Sequence, residues 1–233
     1  MLPGVRLFGQ WPAQEIQSLC EATRVLYVSV GQVLIAQGQV LNGLYVIGAG
    51  SVEVGSIHDD GRRYVRRYAQ PGMLFGLVSV LDGEGSPYSY TAHEPTTILF
   101  IPKAAFLSIL SRHPELWPSV AHHLASFQRM ALATIDEHMF ETLQIRLARA
   151  LVSLAKVYGT RDAVGAAIRI RMTQDNVASL LGVSRQSVSK ELKRLEQDGL
   201  IRIDYGRITL IDPEAIERAA REGIEVGLPA LSG

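Results

Sequence analysis

Cysteine is nearly absent from this chain: Cys20 is the only one among 233 residues. That excludes an internal disulfide framework and a Cys-based zinc or iron–sulfur site within one chain. A cytosolic setting is the expectation. Net charge is absent too, since 23 Lys plus Arg balance 23 Asp plus Glu. The balance names no partner, although a basic patch can be offset by acidic surface elsewhere. No run approaches the roughly 20 apolar residues of a membrane span. The opening stretch "MLPGVRLFGQWPAQ" is broken by Pro3, Gly4, Gly9 and Pro12, so it lacks the apolar core of a secretion signal. Also missing are a Gly-rich phosphate loop, a nucleophile elbow and carboxylates clustered at metal spacing. Cys20 with a distant His is a weak nucleophile candidate beside the commoner structural cysteine. No enzymatic activity is expected.

What is present changes character near residue 112. Before it, short β-type runs ("RVLYVSV", "QVLIA", "GLYVIG", "SVEVGSI", "RYVRRYA", "TTILFIP") alternate with glycines. Gly31, Gly38, Gly43, Gly48, Gly50, Gly55, Gly61, Gly72 and Gly76 read as punctuation, and "DDGRR" as a hairpin tip. Many short strands at close spacing predict a sandwich or jelly-roll barrel over residues 1–112.

After that the period is helical. Residues 114–139 suit one long helix if Pro118 falls in its first turn. Residues recur at steps of three and four: Leu116, Val120, Leu124 or His123, Phe127, Met130 or Ala131, and Ile135. Val120, Leu124, Phe127, Met130, Ala131 and Ile135 form the expected seam between two copies, as in a coiled-coil-like pair. A core helix within one chain fits the same stripe. "TLQIRLARALVSLAKVYG" predicts a further helix, with Leu143, Leu147, Leu151 and Leu154 on one face and Gly159 as its stop. "RDAVGAA" reads as a loop, "IRIRM" as a short strand, and residues 223–233 as a loosely held tail. The expected organisation is therefore α+β: a β-roll at 1–112, a dimerisation helix at 113–140, and a second domain at 141–222.

That last domain rests on "TQDNVASLLGVSRQSVSKELKRLEQ". Thr173 suits the N-cap of a first helix and Ser184 that of a second. Gly182 can take the left-handed turn between them. Two short helices with a Gly turn make a helix-turn-helix. At about 100° per residue, Val188, Leu192 and Leu195 fall on one side of the second helix. Arg185, Gln186, Ser189, Lys190 and Lys193 fall on the other. Such a donor-lined face suits a DNA major groove, where Arg pairs with guanine and Gln with adenine. A solvated amphipathic helix is the plain alternative. The small Ala178, Gly182 and Val188 at the helix contact, and the segment that follows, favour the groove reader. "GLIRIDYGRITLID" predicts a hairpin about Tyr205-Gly206, a wing that sets Arg202 and Arg207 against phosphates. Asp212 and Pro213 open a closing helix.

A glycine-punctuated roll, a long helix and a winged helix-turn-helix, in that order, resemble the CRP/FNR family of bacterial transcription regulators. The resemblance spans roughly residues 5–222. Its marks are "GLYVIGAGSVEV", "DGRRYVRRYAQPGMLFG", "RLARALVSLA" and the helix-turn-helix stretch above. It implies a homodimer on a palindromic operator with half-sites about one helical turn apart, RNA polymerase as a partner, and a small-molecule effector in the roll. Arg185, Gln186, Ser189 and Lys190 match the family's base-reading positions; Thr173, Ser184 and Lys193 complete the expected DNA-binding set. Gln186 stands where many members carry Glu, so the half-site is expected to differ at one base.

The effector region departs from the family pattern. Cyclic-AMP-binding members carry a Glu for the ribose and an Arg-Ser pair for the phosphate. Here Leu77 replaces the Glu, Ser86, Pro87 and Tyr88 occupy the Arg-Ser region, and no arginine lies between Arg67 and Arg112. The adenine-facing positions become about Ala131 and Leu132. Cyclic AMP in its usual mode is therefore not expected, because a buried cyclic phosphate needs a cation. The candidate pocket is Phe75, Gly76, Leu77, Ser86, Tyr88, Tyr90, Ala131 and Leu132, and the same residues could equally fill the roll's core. Arg66 or Arg67 could supply a cation, but the alternation of "RRYVRRY" favours a solvated hairpin. Two rivals remain: a constitutive, ligand-free regulator, and a haem-based gas sensor drawing on His93, His113, His122, His123 or His138.

Overall fold

A computed structural model describes residues 2–57, 63–161, 167–170 and 172–222. The expected hairpin tip at Asp59, Asp60, Gly61 and Arg62, most of the loop at 161–167 and the tail at 223–233 lie outside these. The chain forms two compact units, Met1–Ala133 and Thr134–Gly233.

The first unit opens with short 3-10 turns at Leu2–Gly4 and Arg6–Phe8 and a helix α1 (Ala13–Ala22). Eight strands follow among the described residues: β1 (Arg24–Val28), β2 (Val33–Ile35), β3 (Gly43–Ala49), β4 (Val52–Ile57), β5 (Arg63–Ala69), β6 (Leu74–Phe75), β7 (Ser89–Ala92) and β8 (Thr96–Pro102). Helix α2 (Leu77–Asp82) sits between β6 and β7, and α3 (Lys103–Arg112) follows β8. The strands pair into two antiparallel four-stranded sheets, ordered β1-β8-β3-β6 and β2-β7-β4-β5. That is the expected β-roll. Gly43, Gly48 and Gly55 lie inside strands rather than at turns.

Two apolar cores explain why β3 and β8 read as nearly continuous hydrophobic runs. Ile35, Ile47, Val52, Phe75 and Ile98 pack between the sheets. Leu44, Val46, Leu99 and Ile101 point the other way, against Phe8, Trp11, Leu19, Phe106 and Leu110 from the N-terminal turns, α1 and α3. Trp11 stacks on Phe106 with centroids 5.8 Å apart, and its indole N–H donates to Ser119 Oγ at 3.0 Å.

Ser119 belongs to the long helix α4 (Trp117–Phe140), in which Pro118 does fall in the first turn. The start of this helix corrects the expected seam. Val120 is only 1% exposed within the first unit's own core, and Leu124 packs against that core. Val120 is therefore not left over for a second copy, whereas Leu124 stays partly exposed. Phe127, Met130 and Ile135 do remain exposed.

The second unit contains α5 (Leu143–Tyr158), β9 (Thr160–Arg161), β10 (Ile168–Ile170), α6 (Gln174–Leu181), α7 (Arg185–Gln197), β11 (Ile201–Asp204), β12 (Arg207–Leu210) and α8 (Pro213–Glu222). Thr142 caps α5 and Gly159 ends it. Leu147, Leu151 and Leu154 are buried along its inner face, where it packs on α6 and α8. The sheet order is β11-β12-β10-β9, all antiparallel.

Candidate functional site

Helices α6 and α7 are set by local chemistry. The Thr173 hydroxyl accepts from Asn176 N at 3.1 Å, and Asn176 Oδ1 accepts from Thr173 N at 3.2 Å. This reciprocal box satisfies two donors at the start of α6. Gly182 takes φ +66° at the end of α6, a left-handed value that glycine adopts without strain. The Ser184 hydroxyl then accepts from Ser187 N at 3.1 Å and opens α7.

On α7, Val188, Leu192 and Leu195 are buried. Arg185, Gln186, Lys190 and Lys193 are exposed together, with Ser189 half-buried among them. The nearest anion to Arg185 is Asp175, at 3.7 Å between two well-exposed side chains, a weak pair that a stronger acceptor can displace. The wing follows directly. The Glu196 carboxylate accepts from Ile203 N at 2.7 Å and fastens β11 to the end of α7. Arg202 and Arg207 lie exposed on β11 and β12, and Tyr205 at the turn is fully exposed. A cleft of about 270 Å³ between the wing and the start of α6 is lined by Thr173, Asn176, Tyr205 and Arg207. Sequence reasoning passed over Asn176 and Tyr205 as site residues. The signal for Asn176 was present, three residues after a Thr cap.

The first unit holds a larger cavity, about 1000 Å³, between β5, β6, the β7 strand and the inner side of α4. Phe75, Gly76, Leu77, Ser86, Tyr88, Tyr90 and Ala131 all line it. Leu132 does not, and is 53% exposed: one residue beyond Ala131, it turns away around the helix. Ser86 is present but committed, because its hydroxyl donates to the Tyr88 carbonyl at 2.7 Å. Leu77 opens α2 and offers methyl groups with no acceptor. Tyr45, Phe75 and Tyr90 form a stacked row, with centroid distances of 5.5 and 4.4 Å.

Arg66 and Arg67 also line this cavity, contrary to a solvated hairpin. The reason is a β-bulge. Val54 pairs with Arg67 and Gly55 with Val65, so Arg66 is an extra, unpaired residue. A bulge re-aims a side chain, and here two consecutive arginines serve one cavity. The Arg66 guanidinium donates to the Tyr88 hydroxyl at 2.8 Å and lies 5.3 Å from that ring's centre. The Arg67 guanidinium lies 6.0 Å from the Phe127 ring. Burial, then the neighbouring charge of Arg66, lowers the Arg67 pKa. Burial and Tyr88 push the Tyr90 hydroxyl up to about 12, so it stays a neutral donor.

Of the candidate haem ligands, His122 and His123 line the cavity, and burial lowers the His123 pKa. His93 packs on Tyr68, and His113 is engaged by Glu115 and Glu15 at 2.8 and 3.1 Å. The side chain of His138 lies outside the described residues.

Comparison with known proteins agrees with both units. Residues 25–113 match the cyclic nucleotide-binding domain, and residues 145–219 the Crp-like helix-turn-helix domain. The chain is 31% identical over 198 residues to the transcriptional regulator LdrP of Thermus thermophilus, covering 83% of this chain and 95% of that one. It is 29% identical over 220 residues to the cyclic AMP receptor protein of the same organism, covering 94% and 98%. A solved CRP-family transcriptional regulator, also from Thermus thermophilus, superposes with a TM-score of 0.70 at 28% identity, covering 84% of this chain and 96% of that one. No helix of the described residues is long and apolar enough to cross a membrane.

Proposed function

The chain belongs to the CRP/FNR family of DNA-binding transcription regulators, and we propose that it acts as a homodimer on a palindromic operator, gated by a small molecule in the roll cavity. The carrying observation is the division of α7: Val188, Leu192 and Leu195 are buried while Arg185, Gln186, Lys190 and Lys193 stand exposed on the other side. A helix of this kind enters a major groove with its first residues at the base edges. Arg185 then donates to guanine N7 and O6, and Gln186 pairs with adenine. Arg202 and Arg207 on the wing neutralise phosphates and fix the register.

The cavity supports gating over constitutive action, since a roll filled by its own side chains would leave no room for an effector. Relatives named for cyclic AMP supply the rival effector. Against the usual cyclic AMP mode stand Leu77 without an acceptor, the committed Ser86 hydroxyl, and cavity arginines that come from outside residues 77–90. Effector binding would shift the population between two states of the dimer.

The test begins by selecting duplexes from a random library with the ligand-stripped protein. Fluorescence anisotropy then follows binding against salt, with and without cyclic AMP. Affinity should fall steeply as salt rises, because bound phosphates release counterions. Arg185→Ala should cost about 1–3 kcal/mol on the selected site. Gln186→Glu should move the preference at one base from adenine towards cytosine. Cyclic AMP should change little. Tightening that depends on cyclic AMP would overturn the effector reading, and salt-independent or undetectable duplex binding would overturn the regulator reading.

A further inference from the structure

The roll cavity carries more information than its size. Its charged lining is all of one sign. Arg66 and Arg67 come from the bulge on β5, Arg6 from the N-terminal turn and Arg129 from α4, while no Asp or Glu lines it among the described residues. The nearest acid along the paired strand, Glu53, sits opposite Tyr68. Strand alternation therefore directs it to the other face from Arg67. Arg67 makes no hydrogen bond or ion pair among the described residues; its neighbours are an aromatic ring and a second cation. Holding two adjacent guanidinium groups in a partly desolvated cavity is costly unless an anion joins them. Much of the remaining lining is apolar or aromatic, with the Phe75 and Tyr90 rings stacked at 4.4 Å, while Ser79, Ser86, His122, His123, Ser126 and Gln128 add polar groups without a negative charge.

We propose that Arg66 and Arg67 form an anion cradle and that the ligand is an organic anion with a flat apolar body. The charged head lies between the two guanidinium groups, and the body lies along Phe75, Tyr90 and Leu77. This deepens the proposed function and rests on its reading of the cavity as the effector site. The cradle is made by β5, and none of its cations follows the segment after Gly76. Arg66 keeps donors beyond the one given to Tyr88, because a guanidinium has five. Arg67 has all of its own. Paired planar forks of this kind suit a carboxylate, sulfonate or phosphate head.

The test uses two fluorescent probes that share one body. 1-Anilinonaphthalene-8-sulfonate carries a sulfonate, and N-phenyl-1-naphthylamine is the same framework without it. Each is titrated into the full chain, into Arg66→Met/Arg67→Met, and into Arg66→Lys/Arg67→Lys, with thermal melts as a fold check. The wild type should bind the sulfonate about tenfold more tightly than the neutral probe. The Met pair should erase that preference while keeping the neutral probe, and the Lys pair should retain most of it. If the Met pair does not melt cooperatively, Arg67→Met alone replaces it, since the Arg66–Tyr88 contact then survives. Competition by 1-naphthoate and by 1-naphthyl phosphate distinguishes a carboxylate from a phosphate head.

Equal binding of the two probes by the wild type would overturn the cradle. So would a sulfonate preference that survives in a folded Met variant. Duplex binding is read separately by anisotropy. A protein that binds DNA but shows no anion preference loses the cradle and keeps the regulator; one that shows the preference but binds no duplex keeps the cradle and loses the regulator.

Discussion

Gly55 shows how one backbone position controls two side chains a strand away. A Cβ built on it would lie 2.4 Å from the Tyr64 carbonyl oxygen. The obstruction is backbone, so it cannot rotate aside. Gly55 pairs with Val65 at the step where Arg66 bulges out of register. Gly55→Ala should therefore destabilise the chain by about 1–3 kcal/mol and weaken the sulfonate probe more than its neutral counterpart. Urea denaturation with parallel probe titrations checks this; a loss shared equally by both probes would separate the bulge from the cradle. In the sequence, Gly55 reads as a turn and "RRYVRRY" as a two-faced strand. Register is a property of the pair, so no window within one strand reveals a bulge. For the same reason the sequence favours a solvated hairpin for Arg66 and Arg67 over a cation in the pocket, whereas the family resemblance brings Phe75, Leu77, Tyr88 and Tyr90 forward as pocket candidates by position.

At the scale of elements, legibility follows the reach of the signal. The start of α6, the turn and the start of α7 are fixed by Thr173, Gly182 and Ser184 within a few residues of each, so the sequence displays them. Helix α1 is hidden because Pro12 reads as a breaker, yet it lies just before the first helical residue, where a missing N–H costs nothing. Helix α2 has six residues between Gly76 and Gly83, and β6 has two, too few to establish a period. The two faces of α7 make a paired prediction. Leu192 is fully buried, so Leu192→Ala should cost about 2–5 kcal/mol of stability and lower duplex binding only through unfolding. Lys193→Ala, next to it and exposed, should leave stability within about 0.5 kcal/mol and reduce the salt dependence of duplex binding by about one unit of slope. Denaturation curves and anisotropy across a salt series separate them. A Lys193 variant with an unchanged salt slope would remove that side chain from the phosphate contacts.

At the scale of the whole molecule, the order of roll, long helix and winged helix-turn-helix is legible, because composition and period change abruptly along the chain. What the long helix does with its apolar stripe is not, since periodicity cannot say which neighbour covers a face. The structure divides that stripe. Val120 is buried in the first unit's core and Leu124 packs against it, whereas Ile135 is 52% exposed. On the proposed reading as a homodimer on a palindromic operator, two recognition helices are needed, and the exposed part of the stripe is the face a second copy would cover. Ile135→Glu should then shift analytical ultracentrifugation from dimer to monomer. It should weaken binding to a full palindrome far more than to a single half-site, because the second half-site loses its tethered partner. Val120→Ala should do the opposite: it should cost about 1–3 kcal/mol of stability and leave the dimer intact once folded. If Val120→Ala dissociated the dimer while Ile135→Glu did not, the partner would have to cover some other face of the chain, and the seam would lie off α4 altogether.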